Sequence, residues 1–323
     1  MRAVWTRRNL QLGTRAATCR ACFAPLRKMS SCRHVRGQDG SADLGTLAVS
    51  DLEPRNWGRT MTQTQGYMIP IWRSNRIGPR TAEIYEGLLV ASVLSFRASS
   101  GPGPDLLVVD IDCGLSGKTR NAIQPHARIW SGWELGKGLT WEQNCYNKLL
   151  CLAASPFDET ALLDADLIWT GSAVNVWAGI TAQIAGVHSP LYHRGKGCCA
   201  CLTLCLDREA ARAAISLRPD LHGGSEDSDE DAYDLAEERG LITRARLSPE
   251  WAFDGRALYW RGPGTQHDWG HPARWDRTSG TWTVDGRMVR SFHVSGIKER
   301  FLKDPRARDY LASCVGRIGI VRP

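Results

Sequence analysis

Short apolar runs that end on aspartates are the feature that most constrains the fold of this chain. One run, DLLVVDID at 105–112, is rich in β-branched residues, and a second, TALLDAD at 160–166, has a similar length and ending. Continuous apolar runs of this kind are typical of strands buried on both faces of a parallel sheet. Because helical patterns separate the runs along the chain, the sequence predicts an α/β fold.

An amphipathic helix is predicted over 81–97, ahead of the first run. Its apolar residues recur at the spacing of one helical face, and Thr81 stands where an N-cap would. The break SSGPGP then separates this helix from the strand at 105–112. The apolar face comprises Ile84, Tyr85, Leu88, Leu89, Val93 and Phe96.

Helices and strands continue without an internal repeat to about residue 304, and after residue 240 the chain changes to short strands and Trp-rich loops. We therefore expect an extension over 1–60, a single α/β domain over 61–304 and a tail over 305–323. The other predicted elements are strands at 127–130 and 198–205 and helices over 142–154, over 174–184, over 226–239 and from near Asp207.

The net charge of +7 comes from the start of the chain and not from the domain. Basic residues outnumber acidic ones in 1–60, whereas the two signs balance over 61–323. The charge of the domain therefore gives no argument that it binds a polyanion. We interpret the extension as poorly ordered, either an organelle-targeting-like leader or the product of an upstream start codon.

The chain has 11 cysteines, an odd number, and four of them lie in CCACLTLC at 198–205. This stretch predicts a buried strand with small apolar thiols, and not a disulfide scaffold. Cys19 and Cys22 have the spacing of zinc ligands, but no second pair follows, so a zinc site is not favoured. Because the sequence shows neither a stretch of membrane-spanning length nor a secretory signal, we expect a cytoplasmic protein without a membrane span.

The aspartates that end the second run, Asp164 and Asp166, are the first candidates for chemistry. In an open parallel sheet, ligands bind beyond the carboxyl ends of the strands. Residues two apart at a strand end point the same way, so these carboxylates repel unless a positive charge lies between them. Mg²⁺ or Mn²⁺, which carboxylates and substrate phosphates commonly hold, would supply that charge. Alternatively, both side chains only cap the following turn.

The stretch NKLLCLAASPFDETALLDADLIW at 147–169 resembles nucleotide-diphospho-sugar transferases of the GT-A fold. In that family a Lys-bearing helix, a turn and a strand precede an LDAD motif. Three similar stretches follow in the family's order: DEDAYD at 229–234, LSPEWAF at 247–253 and FHVSGIK at 292–298. The last resembles the C-terminal motif of the glycogenin-like retaining enzymes, and the whole resemblance covers about 66–304.

The resemblance implies a GT-A-like fold, that is, a Rossmann-type, mixed, mainly parallel sheet flanked by helices, with a Trp-rich C-terminal acceptor region. It implies that Asp164, Asp166 and His293 hold Mn²⁺ or Mg²⁺ against the donor diphosphate. A neutral imidazole suits Mn²⁺, and lysine binds phosphate as a point charge. Taken alone, a histidine at a strand end such as His293 is more often a core residue than a ligand. The implied donor-binding residues are Lys148, Asp164, Asp166, Gly296 and Lys298.

The resemblance also implies catalytic roles at the start of the acidic helix. Asp229 would bind the hydroxyl groups of the sugar. Glu230 stands where the family has glutamine, close to the anomeric carbon, and a carboxylate there could act as a nucleophile or stabilise a cation. The alternative is a solvated acidic helix start, which the helix dipole favours.

Two departures from the family limit what can be carried over. The family's NsG turn, where the backbone meets the sugar, is replaced by GKGCCACL at 195–202, so the identity of the sugar stays open. The C-terminal motif is one residue short and lacks its final Pro-Trp, so the role of Lys298 is less firmly implied than that of His293.

Five tryptophans lie between residues 251 and 282, interleaved with Gly, Pro, His and Arg. Indole rings stack well on sugars and bases. Because the segment precedes the His293 motif, we interpret it as an acceptor platform, with Trp269 and His267 as the candidate contacts. The alternative is loop packing against the sheet.

The sequence therefore predicts a metal-dependent glycosyltransferase of hexosyltransferase type that acts with retention. Its donor would be a nucleotide-diphospho-sugar, with a UDP-sugar favoured, and its acceptor a glycan, a protein or a DNA base. Two alternatives stay open: a catalytically decayed protein that still binds sugar nucleotides, and a sugar nucleotidyltransferase. The second is disfavoured because IWRSNRIGPR at 71–80 lacks the glycines of a nucleotidyltransferase loop.

Overall fold

A computed structural model describes most of the predicted domain. The described residues all belong to one compact unit, Leu47–Pro323. The predicted extension over 1–60, Gly296, and both candidate acceptor residues, Trp269 and His267, lie outside them. The described ranges are 65–72, 79–111, 114–131, 146–188, 198–217, 229–255, 274–276, 281–284, 287–295 and 297–320.

Strands and helices alternate through the first two-thirds of the described chain. The strands are β1 (Gln65–Trp72), β2 (Leu106–Ile111), β3 (Arg128–Trp130), β4 (Glu159–Leu163), β5 (Leu167–Trp169), β6 (Ile184–His188), β7 (Cys198–Cys205), β8 (Arg244–Leu247), β9 (Phe253–Asp254), β10 (Arg274–Asp276), β11 (Thr281–Val284), β12 (Arg287–Met288) and β13 (Ser291–His293). The helices are α1 (Pro79–Ser100), α2 (Gly117–Ile123), α3 (Tyr146–Ala153), α4 (Arg208–Ser216), α5 (Asp229–Glu238), α6 (Lys298–Lys303) and α7 (Pro305–Ile320).

The main sheet has seven strands in the order β3-β2-β1-β4-β7-β6-β8. The strand pairs β3–β2, β2–β1, β1–β4 and β6–β8 are parallel. Only β7 runs antiparallel to its neighbours β4 and β6. Two three-stranded sheets accompany it, β10-β11-β12 and β5-β13-β9. The predicted mixed, mainly parallel α/β sheet is confirmed.

Helices cover both faces of the main sheet. Alternate residues of β2 enter two different apolar clusters, which explains why its sequence is apolar throughout. One cluster contains Leu89, Val93 and Phe96 of α1. The other contains residues of α3, α4 and α5. Leu89, Val93 and Phe96 of the predicted face thus pack on the main sheet, with Tyr85 half-buried beside them. Leu88 instead joins a third cluster, which contains residues of β5, β9 and β13.

One predicted helix differs from the structure, and one strand was not predicted. The helix expected over 174–184 is absent: that segment forms turns and then enters β6. Gly179 has a φ of +77° there, a left-handed conformation that interrupts a helix. The unpredicted strand is β1, whose apolar pattern Pro70 interrupts. The proline is tolerated because β4 pairs with β1 only as far as Met68.

The segment expected as a tail contains helix α7. Its Ala307, Tyr310 and Leu311 join an apolar cluster with Leu88 of α1. Cys314 is fully buried. No helix among the described residues has the length and apolar character needed to cross a membrane.

Candidate functional site

The Asp-Ala-Asp sequence lies at the carboxyl end of β4, between β1 and β7 in the middle of the main sheet. The backbone N–H of Asp164 donates to the carbonyl of Cys201 on β7, at 2.8 Å. Asp164 then begins a tight turn, in which its carbonyl accepts from Leu167 N at 3.1 Å. This turn carries the chain out of the main sheet and into β5.

Strand pairing brings His293 to the aspartates. β5 pairs antiparallel with β13, and Leu167 and His293 are register partners. The N–H of Val294 donates to the carbonyl of Asp166 at 3.0 Å, so the two backbones are joined at the site. The segments containing Asp166 and His293, far apart in sequence, therefore meet at the end of a short ladder.

Asp164, Asp166 and His293 each offer a ligand atom, and these atoms all lie within 4.8 Å of one another. His293 Nε2 lies 3.3 Å from Asp166 Oδ1 and 3.6 Å from Asp164 Oδ2. Asp166 and His293 are buried, and Asp164 is partly exposed. Two carboxylate oxygens and one imidazole nitrogen form a donor set that suits Mn²⁺ or Mg²⁺.

Lys298, the first residue of α6, contacts the opposite side of Asp166. Its Nζ lies 3.0 Å from Asp166 Oδ2 and donates to the hydroxyl of Tyr85 at 2.7 Å. Burial alone would lower the pKa of Lys298, but contacts with Asp166 and Tyr85 outweigh burial and raise that pKa to about 12. Lys298 is therefore a cation throughout the physiological pH range.

The two basic groups beside Asp166 stabilise its ionised carboxylate. Burial alone would raise the pKa of its carboxyl, but the charges and hydrogen bonds of His293 and Lys298 outweigh burial and keep that pKa well below its usual value. Asp166 is therefore ionised at neutral pH and can accept hydrogen bonds, as a cation ligand must.

Lys148 on α3 occupies the corresponding position beside Asp164. Its Nζ lies 2.8 Å from Asp164 Oδ1 and 3.6 Å from Asp229 Oδ2, and it donates to the carbonyl of Ala200 at 3.3 Å. Burial would lower the pKa of Lys148, but Asp164 and Asp229 outweigh it and raise that pKa well above its usual value. The aspartate pair is thus flanked by two ammonium groups.

Asp229 and Glu230 begin α5 and are both buried. Oε1 of Glu230 accepts a hydrogen bond from the backbone N–H of Ala200 at 2.7 Å. The register of β7 against β6 shifts at this point, since Gly186 pairs with Thr203 and Val187 pairs with Cys199. Such a bulge removes backbone groups from the ladder. The bulge explains why Ala200 can bind Lys148 through its carbonyl and Glu230 through its amide.

A cavity of about 200 Å³ opens at the aspartates. The described residues that line this cavity do not include Asp229 or Glu230. The lining residues are Pro70, Ile71, Trp72, Tyr85, Lys148, Asp164, Ala165, Asp166, His293, Ser295 and Lys298.

Sequence reasoning missed Tyr85 and Trp72 as lining residues. Tyr85 occurs at a helical spacing that is indistinguishable from that of a core residue. Trp72 is the last residue of β1, whose apolar pattern Pro70 interrupts, and its place at a strand end is the only signal that could have indicated it.

A larger cavity, of about 1240 Å³, lies elsewhere, at the amino ends of β2 and β3. Its Arg97 donates to backbone carbonyls, and its Arg128 pairs with Asp105. It contains no cluster of carboxylate and imidazole ligands among the described residues. The chemistry is therefore concentrated at the smaller cavity.

Two tryptophans of the Trp-rich segment, Trp251 and Trp282, pack against the protein. Trp282 contacts Phe292 edge to face, with ring centroids 5.7 Å apart. Trp251 packs on the core, and the guanidinium of Arg290 lies 5.5 Å from its ring. The acceptor role of Trp269 and His267, which lie outside the described residues, stays a prediction.

In comparisons with known proteins, this chain is similar only to solved structures. No protein-family model matches the chain, and no curated protein does. An active-site mutant of LgtC matches with a TM-score of 0.48 at 15% identity, over 77% of this chain and 95% of that one. The galactosyltransferase LgtC with donor and acceptor sugar analogues has a TM-score of 0.45 at 14% identity, over 80% of this chain and 96% of that one.

Mouse xyloside xylosyltransferase 1 has a TM-score of 0.45 at 9% identity, over 72% of this chain and 99% of that one. Likeness at this level carries no argument about activity. Two carboxylates, one imidazole and two ammonium groups converge at the smaller cavity of this protein.

Proposed function

We propose that the protein is a metal-dependent glycosyltransferase that moves a sugar from a nucleotide-diphosphate donor to an acceptor. The observation that supports this proposal most directly is the convergence of Asp164, Asp166 and His293 within 4.8 Å at a cavity flanked by Lys148 and Lys298. Three hard or borderline ligands suit a divalent cation, and two lysines suit the phosphates that such cations accompany.

In this proposal Asp164, Asp166 and His293 hold Mn²⁺ or Mg²⁺. The cation would supply positive charge against the leaving diphosphate. Lys298 stays protonated and donates to the same leaving group from the other side of Asp166. Lys148 holds Asp164 in place while its own position is set by Asp229 and by the carbonyl of Ala200.

Retention and a UDP-sugar donor are finer parts of the proposal and rest on the sequence resemblance. The same is true of the acceptor, a glycan, a protein or a DNA base. A reducing location such as the cytoplasm is also proposed, and the free thiols of Cys151, Cys201, Cys205 and Cys314 support it.

The proposal is tested at Asp166, which contacts both His293 and Lys298. Asp166→Asn removes one charge from the ligand set and should weaken Mn²⁺-dependent binding of UDP more than about tenfold in calorimetry. Release of sugar from UDP-sugars in Mn²⁺ should fall with it. The matched control is Asp158→Asn, because Asp158 is an exposed aspartate whose side chain is 69% accessible and pairs with Arg208.

Two results would contradict the proposal. One is unchanged UDP binding in Asp166→Asn with full metal dependence. The other is a wild-type protein that binds neither UDP nor GDP in Mn²⁺.

A further inference from the structure

Tyr85 of α1 contacts Lys298 in two ways. Its hydroxyl oxygen accepts a hydrogen bond from Lys298 Nζ at 2.7 Å. The same ammonium lies 4.4 Å from the centroid of the phenol ring, within the range of a cation–π contact. Lys298 is therefore held at the hydroxyl edge of the Tyr85 ring.

The ammonium of Lys298 has three N–H donors. One is directed at Asp166 Oδ2, 3.0 Å away, and a second is taken by Tyr85. Among the described residues nothing accepts the third, and Lys298 lines the cavity. With two of its donors fixed in direction, the third is fixed as well, because the group is tetrahedral.

The hydroxyl of Tyr85 can also donate. A phenol that accepts from a lysine keeps its own hydrogen, and no described residue accepts it. Tyr85 lines the same cavity as Lys298 and Asp166. Two donors, one from each side chain, are thus available to an anion in that cavity.

Helix α1 gives Tyr85 a fixed position. Leu88 and Leu89, one turn further along the helix, are fully buried. Near the other end of the helix, Ser95 Oγ accepts from Trp169 N of β5 at 3.0 Å. The helix is therefore tied to the strand that follows Asp166, and Tyr85 does not depend on a loop for its place.

We propose that Tyr85 is a positioning residue that orients the Lys298 ammonium towards the leaving diphosphate and, with its hydroxyl, completes the anion subsite. This inference rests on the proposed function and extends it to a residue outside the motif that contains Lys298. It assigns to α1 a direct part in binding the donor's phosphates.

The experiment measures binding of inorganic pyrophosphate to the full chain in Mn²⁺ by calorimetry, with binding of Mn²⁺ alone as a second titration. Tyr85→Phe keeps the ring and removes the hydroxyl, and should weaken pyrophosphate binding about tenfold, the value of one hydrogen bond to a charged group. Tyr85→Leu also removes the ring and should weaken it further. Neither variant should change binding of Mn²⁺ alone.

The control is Tyr67→Phe, which removes a buried hydroxyl that donates to the carbonyl of Ala173 at 3.0 Å, outside the cavity lining. It should leave pyrophosphate binding unchanged. In turnover assays with a UDP-sugar, Tyr85→Phe should raise KM and lower kcat, since Lys298 acts on both the bound and the leaving diphosphate.

The possible outcomes separate this inference from the proposed function. If the wild-type protein fails to bind pyrophosphate in Mn²⁺, the proposed function itself is contradicted. If the wild type binds but Tyr85→Phe binds equally well, only the role of Tyr85 is overturned. A loss of the same size in Tyr67→Phe would also overturn it, because the effect would then reflect stability and not orientation.

Discussion

At the scale of single residues, Glu230 illustrates how a buried carboxylate can serve a backbone group. The bulge in β7 frees the N–H of Ala200, which is then buried and needs an acceptor. Oε1 of Glu230 accepts that hydrogen bond, while the carbonyl of Ala200 accepts one from Lys148 Nζ. One peptide segment thus connects the start of α5 to the ammonium beside Asp164.

We expect Glu230→Gln to keep most of the activity, because the amide oxygen of glutamine can accept the same hydrogen bond. Glu230→Ala leaves the N–H of Ala200 without that acceptor and should lower the free energy of unfolding by about 1–3 kcal/mol. Chemical denaturation and transfer assays on both variants provide the measurement. A nucleophilic Glu230 would behave differently, since Gln would then abolish turnover while leaving stability intact.

At the scale of elements, the approach of β9 to β13 sets the place of His293. A Cβ atom on Gly255, just after β9, would lie 2.9 Å from the carbonyl oxygen of His293 and 3.0 Å from Cα of Val294. Both neighbours are backbone atoms, which cannot move aside as a flexible side chain would. The two strands therefore require glycine here.

Gly255→Ala should shift β13 and displace His293 from the aspartates. We expect the free energy of unfolding to fall by about 1–3 kcal/mol, the usual cost of overpacking, and Mn²⁺ binding to weaken as well. Gly117→Ala is the matched control, because a Cβ on Gly117 meets nothing within 4 Å. Equal Mn²⁺ affinity in the two variants would show that β13 tolerates the extra methyl group.

The sequence was informative where an element's pattern is local. The end of β4 on Asp164, the helix from Asp207 and the buried strand at 198–205 follow from short-range patterns, and the structure has all three. The turns within 174–184 could not be predicted in this way. The residues around Gly179 are compatible with a helix, and nothing in them indicates its left-handed conformation.

Tertiary pairing is what the sequence could not supply for the candidate site. The proximity of His293 to Asp166 comes from the pairing of β5 with β13, and no spacing rule predicts it; only the family resemblance pointed to it. The contact of Tyr85 with Lys298 joins two helices, and the residue type and spacing at 85 equally fit a core position. The partnership of Glu230 with Ala200 depends on a bulge that has no sequence signature.

At the scale of the whole molecule, helices α1 and α7 together hold the strand that follows the aspartates. Ser99 Oγ of α1 donates to the carbonyl of Trp169 at 3.3 Å, and the hydroxyl of Tyr310 on α7 donates to the same carbonyl. Trp169 is fully buried and packs edge to face on Phe96. The end of the described chain thus supports the middle of the fold.

Ending the chain after Asp304 should therefore destabilise the domain, because it uncovers the α1 surface on which α7 packs. We expect the free energy of unfolding to fall by more than about 3 kcal/mol, the burial energy of two large side chains. Tyr310→Phe, a milder change, should cost about 1 kcal/mol for one hydrogen bond. Thermal or chemical unfolding measures both.

Arg306→Ala is the control for that experiment. Arg306 pairs with Asp304 at the exposed start of α7, its side chain 63% accessible, and such pairs contribute little. Its unfolding curve should match that of the wild type. A truncated chain as stable as the wild type would mean that α7 is dispensable to the fold.

The ladder between β5 and β13 also determines when the site can exist during biosynthesis. Contacts between segments so distant along the chain carry a high entropic cost, because a long loop must close before they are gained. While the protein is being made, Asp164 and Asp166 leave the ribosome long before His293 does. A nascent chain therefore carries the two carboxylates without their imidazole and without Lys298, and the three candidate ligands come together only once β13 has emerged.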